Sequence, residues 1–201
     1  MSVANRRFRP LVPIFTHFCI RHSGMSLTPW GSRFRRVNQR QGALYASEAY
    51  ETAIAELAFY RFLFFREAPG MQLPANPVEH TAFRLSVKCQ TMLDLTQLPF
   101  SAQATDWLSP FDYSACQGIA DQAREAGIQA IRYQSVRDPE KGANVVVLDP
   151  AALSCKEPLT LQTWHIFTRS SAVQATCEMP RQQLEFNSSL FEFDPRLAAS
   201  T

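Results

Sequence analysis

The stretch from Ser47 to Glu67 constrains this chain most. Its apolar residues Ala53, Ile54, Leu57, Ala58, Phe62, Leu63 and Phe65 cover more than one side of a helix with about 3.6 residues per turn. A helix with one apolar stripe can lie on a single surface. This one predicts packing on two sides. Ser47 reads as its N-cap, Glu48 and Glu51 complement the positive start, and Pro69-Gly70 stops it near Glu67. Glu56 shares a face with Thr52, Ala53, Tyr60 and Leu63. A carboxylate on so apolar a face sits at a cleft edge or is buried with a partner, since an isolated buried charge is costly. The plainer alternative is a surface acid or a structural ion pair.

Around this helix the pattern alternates strands and helices. Ala43–Ala46 is a short apolar run after Gly42 and predicts a strand carrying Tyr45. Thr81–Cys89 alternates Phe83, Leu85, Val87 and Cys89 with Arg84, Ser86 and Lys88, which predicts a strand with one buried face. Met92–Leu95 predicts another strand, and 99–112 a loop with short helical turns. Ser114–Gly127 predicts a helix ended by Gly127. Ala130–Val136 and Asn144–Leu148 predict strands around a loop with Asp138-Pro139 and Gly142. Leu159–Thr168 and Ala172–Cys177 predict an antiparallel pair turning at Arg169-Ser170-Ser171. Residues 180–201 show no clear period and are expected to be poorly ordered. Residues 1–42 read as loop-rich, with a possible short strand near Leu11–Phe15.

With 201 residues, 46% of them apolar, the chain suffices for one domain with a sizeable core. The net charge of +2 conceals an asymmetry. Residues 1–47 carry eight Arg and no acid, which leaves twelve bases against eighteen acids, a formal −6, in 48–201. An all-Arg arm favours forked recognition of phosphate or carboxylate, with a solvated basic arm as the alternative. Five widely spaced Cys show no metal-ligand spacing, and their odd number argues against a disulfide framework, so buried free thiols are expected. No apolar run approaches the roughly 20 residues of a membrane span. Arg6-Arg7-Phe8 has a twin-arginine look. The following stretch is short, broken by Pro13 and His17, and lacks a cleavage site, so a cytoplasmic protein is expected.

The candidate site residues are scattered. Arg33 follows Trp30-Gly31-Ser32, a turn that could bring backbone close to a ligand. Tyr45 is a core tyrosine or a stacking platform. Ser135 and Arg137 stand where a strand meets a loop, a common place for site residues, although a lone Ser is most often a turn hydroxyl. The sequence has no GxGxxG after a strand, no GxxxxGK[ST], no GxSxG and no HExxH. Nucleic-acid binding would suit the Arg-rich start, but no helix-turn-helix, zinc finger or RNP-like strand accompanies it, so no direct nucleic-acid contact is expected.

Four segments together resemble the RES domain, a family named for its Arg, Glu and Ser residues. They are Phe8-Arg9, Gly31-Ser32-Arg33-Phe34, Tyr45 followed eleven residues later by Glu56, and Tyr133-Gln134-Ser135-Val136-Arg137 leading to Gly142 and Asn144 before an apolar strand. The resemblance spans about residues 8–150. Phe34 replaces a frequent Trp, and Gln134 stands where Pro is common.

The resemblance implies a single α/β (α+β) domain over 1–178 with a tail over 179–201. Its fold would be similar to ADP-ribosyltransferases, a split mixed sheet with flanking helices. It implies cleavage of the nicotinamide–ribose bond of NAD by phosphorolysis or glycohydrolysis, with NAD as substrate, inorganic phosphate as a possible co-substrate and no metal. Glu56 would face the oxocarbenium-like charge, Arg9 and Arg33 the pyrophosphate or incoming phosphate, Tyr45 the nicotinamide, and Ser135 the ribose or nucleophile, with Arg137 also among the NAD-binding residues. Several family members are toxins, which implies a helix-turn-helix (Xre-type) antitoxin as partner. Self-association stays open. The alternatives are a protein ADP-ribosyltransferase using the same site, and a non-catalytic basic module.

Overall fold

The computed structural model describes residues 11–14, 31–68, 70–154 and 157–198, the first four by backbone only. Two sheets organise them. One has five strands in the order β1-β3-β7-β8-β9, all antiparallel: β1 (Leu11–Ile14), β3 (Val78–Ser86), β7 (Thr160–Thr168), β8 (Ala172–Cys177) and β9 (Gln182–Asn187). The other has four in the order β2-β6-β5-β4: β2 (Leu44–Ser47), β6 (Ala143–Val147), β5 (Ala130–Gln134) and β4 (Met92–Asp94), with only β4 and β5 parallel. This is the expected split mixed sheet. Backbone bonds from Lys88 N–H to the Ala152 carbonyl and from Ser154 N–H to the Ser86 carbonyl tie the sheets together.

The long helix α1 (Tyr50–Glu67) lies on the five-stranded sheet. Ile54, Ala58, Phe59, Phe62 and Leu63 pack there with Trp164, Ile166, Val173, Ala175 and Phe186. Thr52, Ala53 and Ala55 are buried as well, so apolar contact surrounds much of the helix, as its sequence demanded. The helix α3 (Ser114–Glu125) covers one face of the four-stranded sheet, where Cys116, Ala120 and Ala123 meet Ile131, Tyr133 and Val146. Val145, Val147 and Ala130 point into a third cluster on the opposite face, with Val87 and Ala152. A strand covered on both faces reads as a continuous apolar run, and that is why 145–148 is Val-Val-Val-Leu. Gly127 ends α3 with φ +68°. Between β4 and α3 lie a short 3-10 turn, Phe100–Gln103, and a single helical turn, α2 (Ala104–Trp107).

Three expectations change. Ser47 is not the N-cap. It stays in β2 opposite Asn144, because strand pairing takes it, and α1 begins beyond an extended Ala49 whose side chain caps nothing. β3 runs three residues earlier than its pattern indicated and is covered on both faces, with Ala82 facing α1 and Phe83 and Leu85 facing the third cluster. The C-terminal stretch is ordered through residue 198. Gln182–Asn187 completes the large sheet with Leu184 and Phe186 turned inward. A 3-10 turn (Ser188–Phe191) then places Phe191 fully buried beside Phe59 and Phe62, at centroid distances of 5.8 and 5.9 Å. The tail condenses because Phe191 and Leu197 bury apolar surface against the aromatic side chains of α1.

Candidate active site

Arg33 sits at the tip of a tight turn. Ser32 and Arg35 exchange backbone hydrogen bonds of 2.8 and 3.2 Å, and Gly31 enters at φ +65°. A Cβ at residue 31 would lie 2.7 Å from the Arg35 carbonyl, so the turn requires glycine. Tyr45 fastens it: its hydroxyl accepts the Phe34 N–H at 2.9 Å and lies 2.8 Å from Ser32 Oγ. From α3, Gln117 donates to the Ser32 carbonyl and Arg124 to the Phe34 carbonyl, both at 3.0 Å. So held, the Arg33 side chain turns inward and is buried. Its Nη1 donates to the Trp107 carbonyl at 2.8 Å, and its guanidinium lies 4.7 Å from the Tyr113 ring centroid.

Glu56 projects from α1 toward the ends of β5 and β6. Its Oε1 accepts Ser135 Oγ–H at 2.7 Å and Asn144 Nδ2–H at 2.8 Å, and its Oε2 lies 3.3 Å from Arg137 Nη1. Ser47 Oγ donates to Asn144 Oδ1 at 2.6 Å, which orients the amide so that its N–H faces the acid. Ser135 Oγ also accepts the backbone N–H groups of Arg137 and Asp138, at 3.2 and 3.1 Å. The Glu56 side chain keeps 12% of its surface open, against 3% for Arg137. The carboxylate is therefore pinned but reachable. A partly desolvated negative charge fixed in this way suits stabilisation of a cation forming nearby.

The loop after β5 is shaped around that acid. The Asp138 carboxylate accepts Thr52 Oγ–H at 2.6 Å and the N–H groups of Glu140 and Gly142 at 3.0 and 3.1 Å. Any Cβ at residue 142 would collide with Thr52 Oγ1, so glycine permits the helix and loop to touch. Arg137 leaves this loop across the Phe59 ring, 4.1 Å from its centroid, and donates through Nη2 to the Tyr113 hydroxyl at 2.9 Å. Burial opposes the Arg137 charge, but Glu56 and the nearby phenols outweigh it and raise its pKa further above the usual guanidinium value. Burial pushes the Tyr113 phenol up, yet Arg137, Arg33 and Arg196 prevail and hold it below its ordinary value.

Two guanidinium groups thus flank one tyrosine beside one carboxylate. Both are underused. Arg33 Nη2 and Arg137 Nε are buried with no hydrogen-bond partner among the described residues. Unsatisfied buried donors on charged groups are costly; Arg84 and Arg124 carry them too, and what sets Arg33 and Arg137 apart is that both flank Tyr113 beside the Glu56 carboxylate.

The RES domain profile matches residues 10–168. The chain belongs to the RES domain family. No curated protein matches it by sequence. Among solved structures it is similar to a chain of the M. tuberculosis MbcT-MbcA toxin–antitoxin complex, with TM-score 0.50 and 16% identity over 96% of this chain and 91% of that one. At that identity the likeness concerns the fold.

Within the RES domain, the structure brings Glu56, Ser135 and Arg137 into direct contact and joins Arg33 to them through Tyr113. Tyr45 stands beside them with its hydroxyl committed to the Arg33 turn, and burial raises its pKa. Arg9 lies outside the described residues. Of the basic arm, Arg35 is tied to the Gln39 and Gln41 carbonyls and Arg36 to Asp121 at 2.6 Å, so these two serve local structure. Tyr113 and Arg196 were not marked as site residues by the sequence, which showed Thr52 only on the Glu56 face, Asp138 only in the loop and Asn144 only as a motif position. Tyr113 and Arg196 carry no local signal, because their roles arise from contacts across 24 and more residues. Asp138 and Gly142 were visible as loop formers, but not as partners of Thr52. Cys89, Cys116 and Cys177 are buried free thiols. Among the described residues no group of His, Cys, Asp and Glu could hold a metal ion, and no helix is long and apolar enough to cross a membrane.

Proposed function

We propose that this RES domain cleaves the nicotinamide–ribose bond of NAD. The observation that carries this reading is the Glu56 carboxylate, oriented by Ser135 and Asn144 and set beside two buried guanidiniums with unpaired N–H groups. Arg33 Nη2 and Arg137 Nε would engage the dinucleotide phosphates or an incoming phosphate, for which a fork-shaped donor is well matched. As the C–N glycosidic bond lengthens, its electron pair leaves with nicotinamide, which departs neutral. Positive charge develops on the ribose anomeric carbon, and Glu56 opposes it. An oxygen of inorganic phosphate then closes the new C–O bond, yielding ADP-ribose 1″-phosphate with no redox change. With water as acceptor, the product is ADP-ribose and one proton is released. Transfer to a protein side chain would use the same leaving-group step.

Such an enzyme acting on cytoplasmic NAD needs restraint, and the partner we propose is an antitoxin of the helix-turn-helix type. The similar fold in the MbcT-MbcA toxin–antitoxin complex supports this. Its contact would be an acidic or carboxylate-bearing insert that meets the same guanidiniums. The test is incubation of purified, partner-free protein with NAD, with and without inorganic phosphate, read by mass spectrometry, alongside growth of cells expressing the chain. NAD loss and growth arrest are expected. Unchanged NAD with folded protein would overturn the enzyme reading, and unimpaired growth despite active protein would overturn the toxin reading.

A further inference from the structure

The C-terminal segment beyond the family match reaches the same site. Asp194 is fully buried, and its carboxylate holds Arg196 in a forked pair, Oδ1 to Nε at 2.9 Å and Oδ2 to Nη2 at 2.7 Å. The segment is docked on α1 through Phe191, which meets Phe59 and Phe62, and through a 2.7 Å bond from Arg66 to the Ala198 carbonyl. From there Arg196 donates to the Pro110 carbonyl at 3.1 Å and lies 5.2 Å from the Phe59 ring centroid. Arg137 uses the same carbonyl at 3.3 Å and the same ring at 4.1 Å. Tyr113 Oη–H donates to that carbonyl too, at 3.1 Å.

Three donors from three parts of the chain thus converge on one carbonyl oxygen in the loop over residues 108–113. That loop supplies the ring beneath Arg33 and the hydroxyl that receives Arg137. Its tip exposes Phe111, and backbone hydrogen bonds to it are few, so side chains must hold it. Removing the Asp194–Arg196 pair would leave the loop with one fewer charged anchor, and Arg137 would be the remaining charged donor on the Pro110 carbonyl.

We propose that Arg196, clamped by Asp194, is a positioning residue of this active site, acting through the Pro110 carbonyl to fix Tyr113 and hence the two guanidiniums that meet the anionic substrate. The proposal rests on the NAD reading for its kinetic arm and on geometry alone for its structural arm. In Arg196→Ala, KM for NAD should rise about tenfold, the loss expected for one charge-assisted hydrogen bond, with a smaller fall in kcat. Arg196→Lys, which keeps the charge but loses the fork, should fall between the two. By hydrogen–deuterium exchange, the peptide spanning 108–114 should exchange faster in Arg196→Ala, while β7 and β8 stay as protected as in the parent. If the alanine variant does not fold, Arg196→Gln keeps much of the side-chain bulk over Phe59 and carries both measurements. Unchanged exchange at 108–114, or a rise spread evenly over the whole chain, would overturn the proposal. A parent protein that leaves NAD intact would instead overturn the functional reading, with the exchange result still deciding the brace.

Discussion

Along one side of α1, Ile54, Phe59, Phe62 and Leu63 meet Trp164, Ile166 and Phe191 in an apolar cluster that guanidinium groups touch at Phe59. Along another, Thr52 and Glu56 meet Asp138, Ser135, Asn144 and Arg137 through four side-chain contacts of 2.6 to 3.3 Å. Both sides are packed, yet they differ in what they leave unused. The dry side is close-packed apolar surface, the main source of stability in such a fold. The polar side has its acid held by Ser135, Asn144 and Arg137 yet still reachable, and two guanidinium N–H groups unengaged. One helix therefore serves as the spine of the core and as the carrier of the site. The apolar side sets where Glu56 stands, and the polar side sets what it can do.

Substitutions on the two sides should separate these roles. The largest effect is expected at Phe59, where the dry cluster touches both Arg137 and Arg196. Phe59→Ala should lower unfolding free energy by about 3–5 kcal/mol in a denaturant titration, and activity should fall with it. A loss below about 1 kcal/mol would mean the ring adds little to the core and the comparison is drawn in the wrong place.

Glu56→Gln should do the reverse. Gln keeps an acceptor for Ser135 and Asn144 but removes the charge opposite Arg137, so stability should drop by only about 1–3 kcal/mol. NAD turnover should drop about 10²–10³-fold. A folded variant that turns over NAD at nearly the parent rate would assign Glu56 to structure alone.

The smallest effect is expected at Arg33. Calorimetric titration with NAD should show Arg33→Ala about tenfold weaker than the parent, with Arg33→Lys between them because it retains charge without the fork. Equal affinity for all three proteins would make Arg33 a structural partner of the Trp107 carbonyl and nothing more.

Much of the site was legible because its residues lie beside strong local signals. Glu56 stood out as the one carboxylate on an apolar helical face. Ser135 and Arg137 stood out as polar residues at a strand end before a Pro- and Gly-bearing loop. Gly31 marked the Arg33 turn, and φ +65° at that residue is what the turn needs. The helix cap and the C-terminal strand were misread for one reason. Ser47 has the chemistry of an N-cap, and Gln182–Asn187 has weak strand character, so each was settled by a neighbour: Asn144 across β6 in one case, and β8 with the aromatic ridge of α1 in the other.

By itself the sequence determined the elements and their faces. Period and turn chemistry are local properties of a few consecutive residues, and they sufficed to predict a doubly packed α1, strands at 130–136 and 144–148 that the structure sets at 130–134 and 143–147, and an acid on an apolar face with a cleft edge or a partner as one reading of it. Only the tertiary structure decided the company that acid keeps. Ser135, Arg137 and Asn144 lie 79, 81 and 88 residues from Glu56, while Tyr113 meets Arg137 directly and Arg196 meets it at the Pro110 carbonyl, from two further segments. Such contacts form because packing α1 on the five-stranded sheet carries Glu56 to the ends of β5 and β6, and a buried charge must then find its partners among whatever side chains the fold delivers.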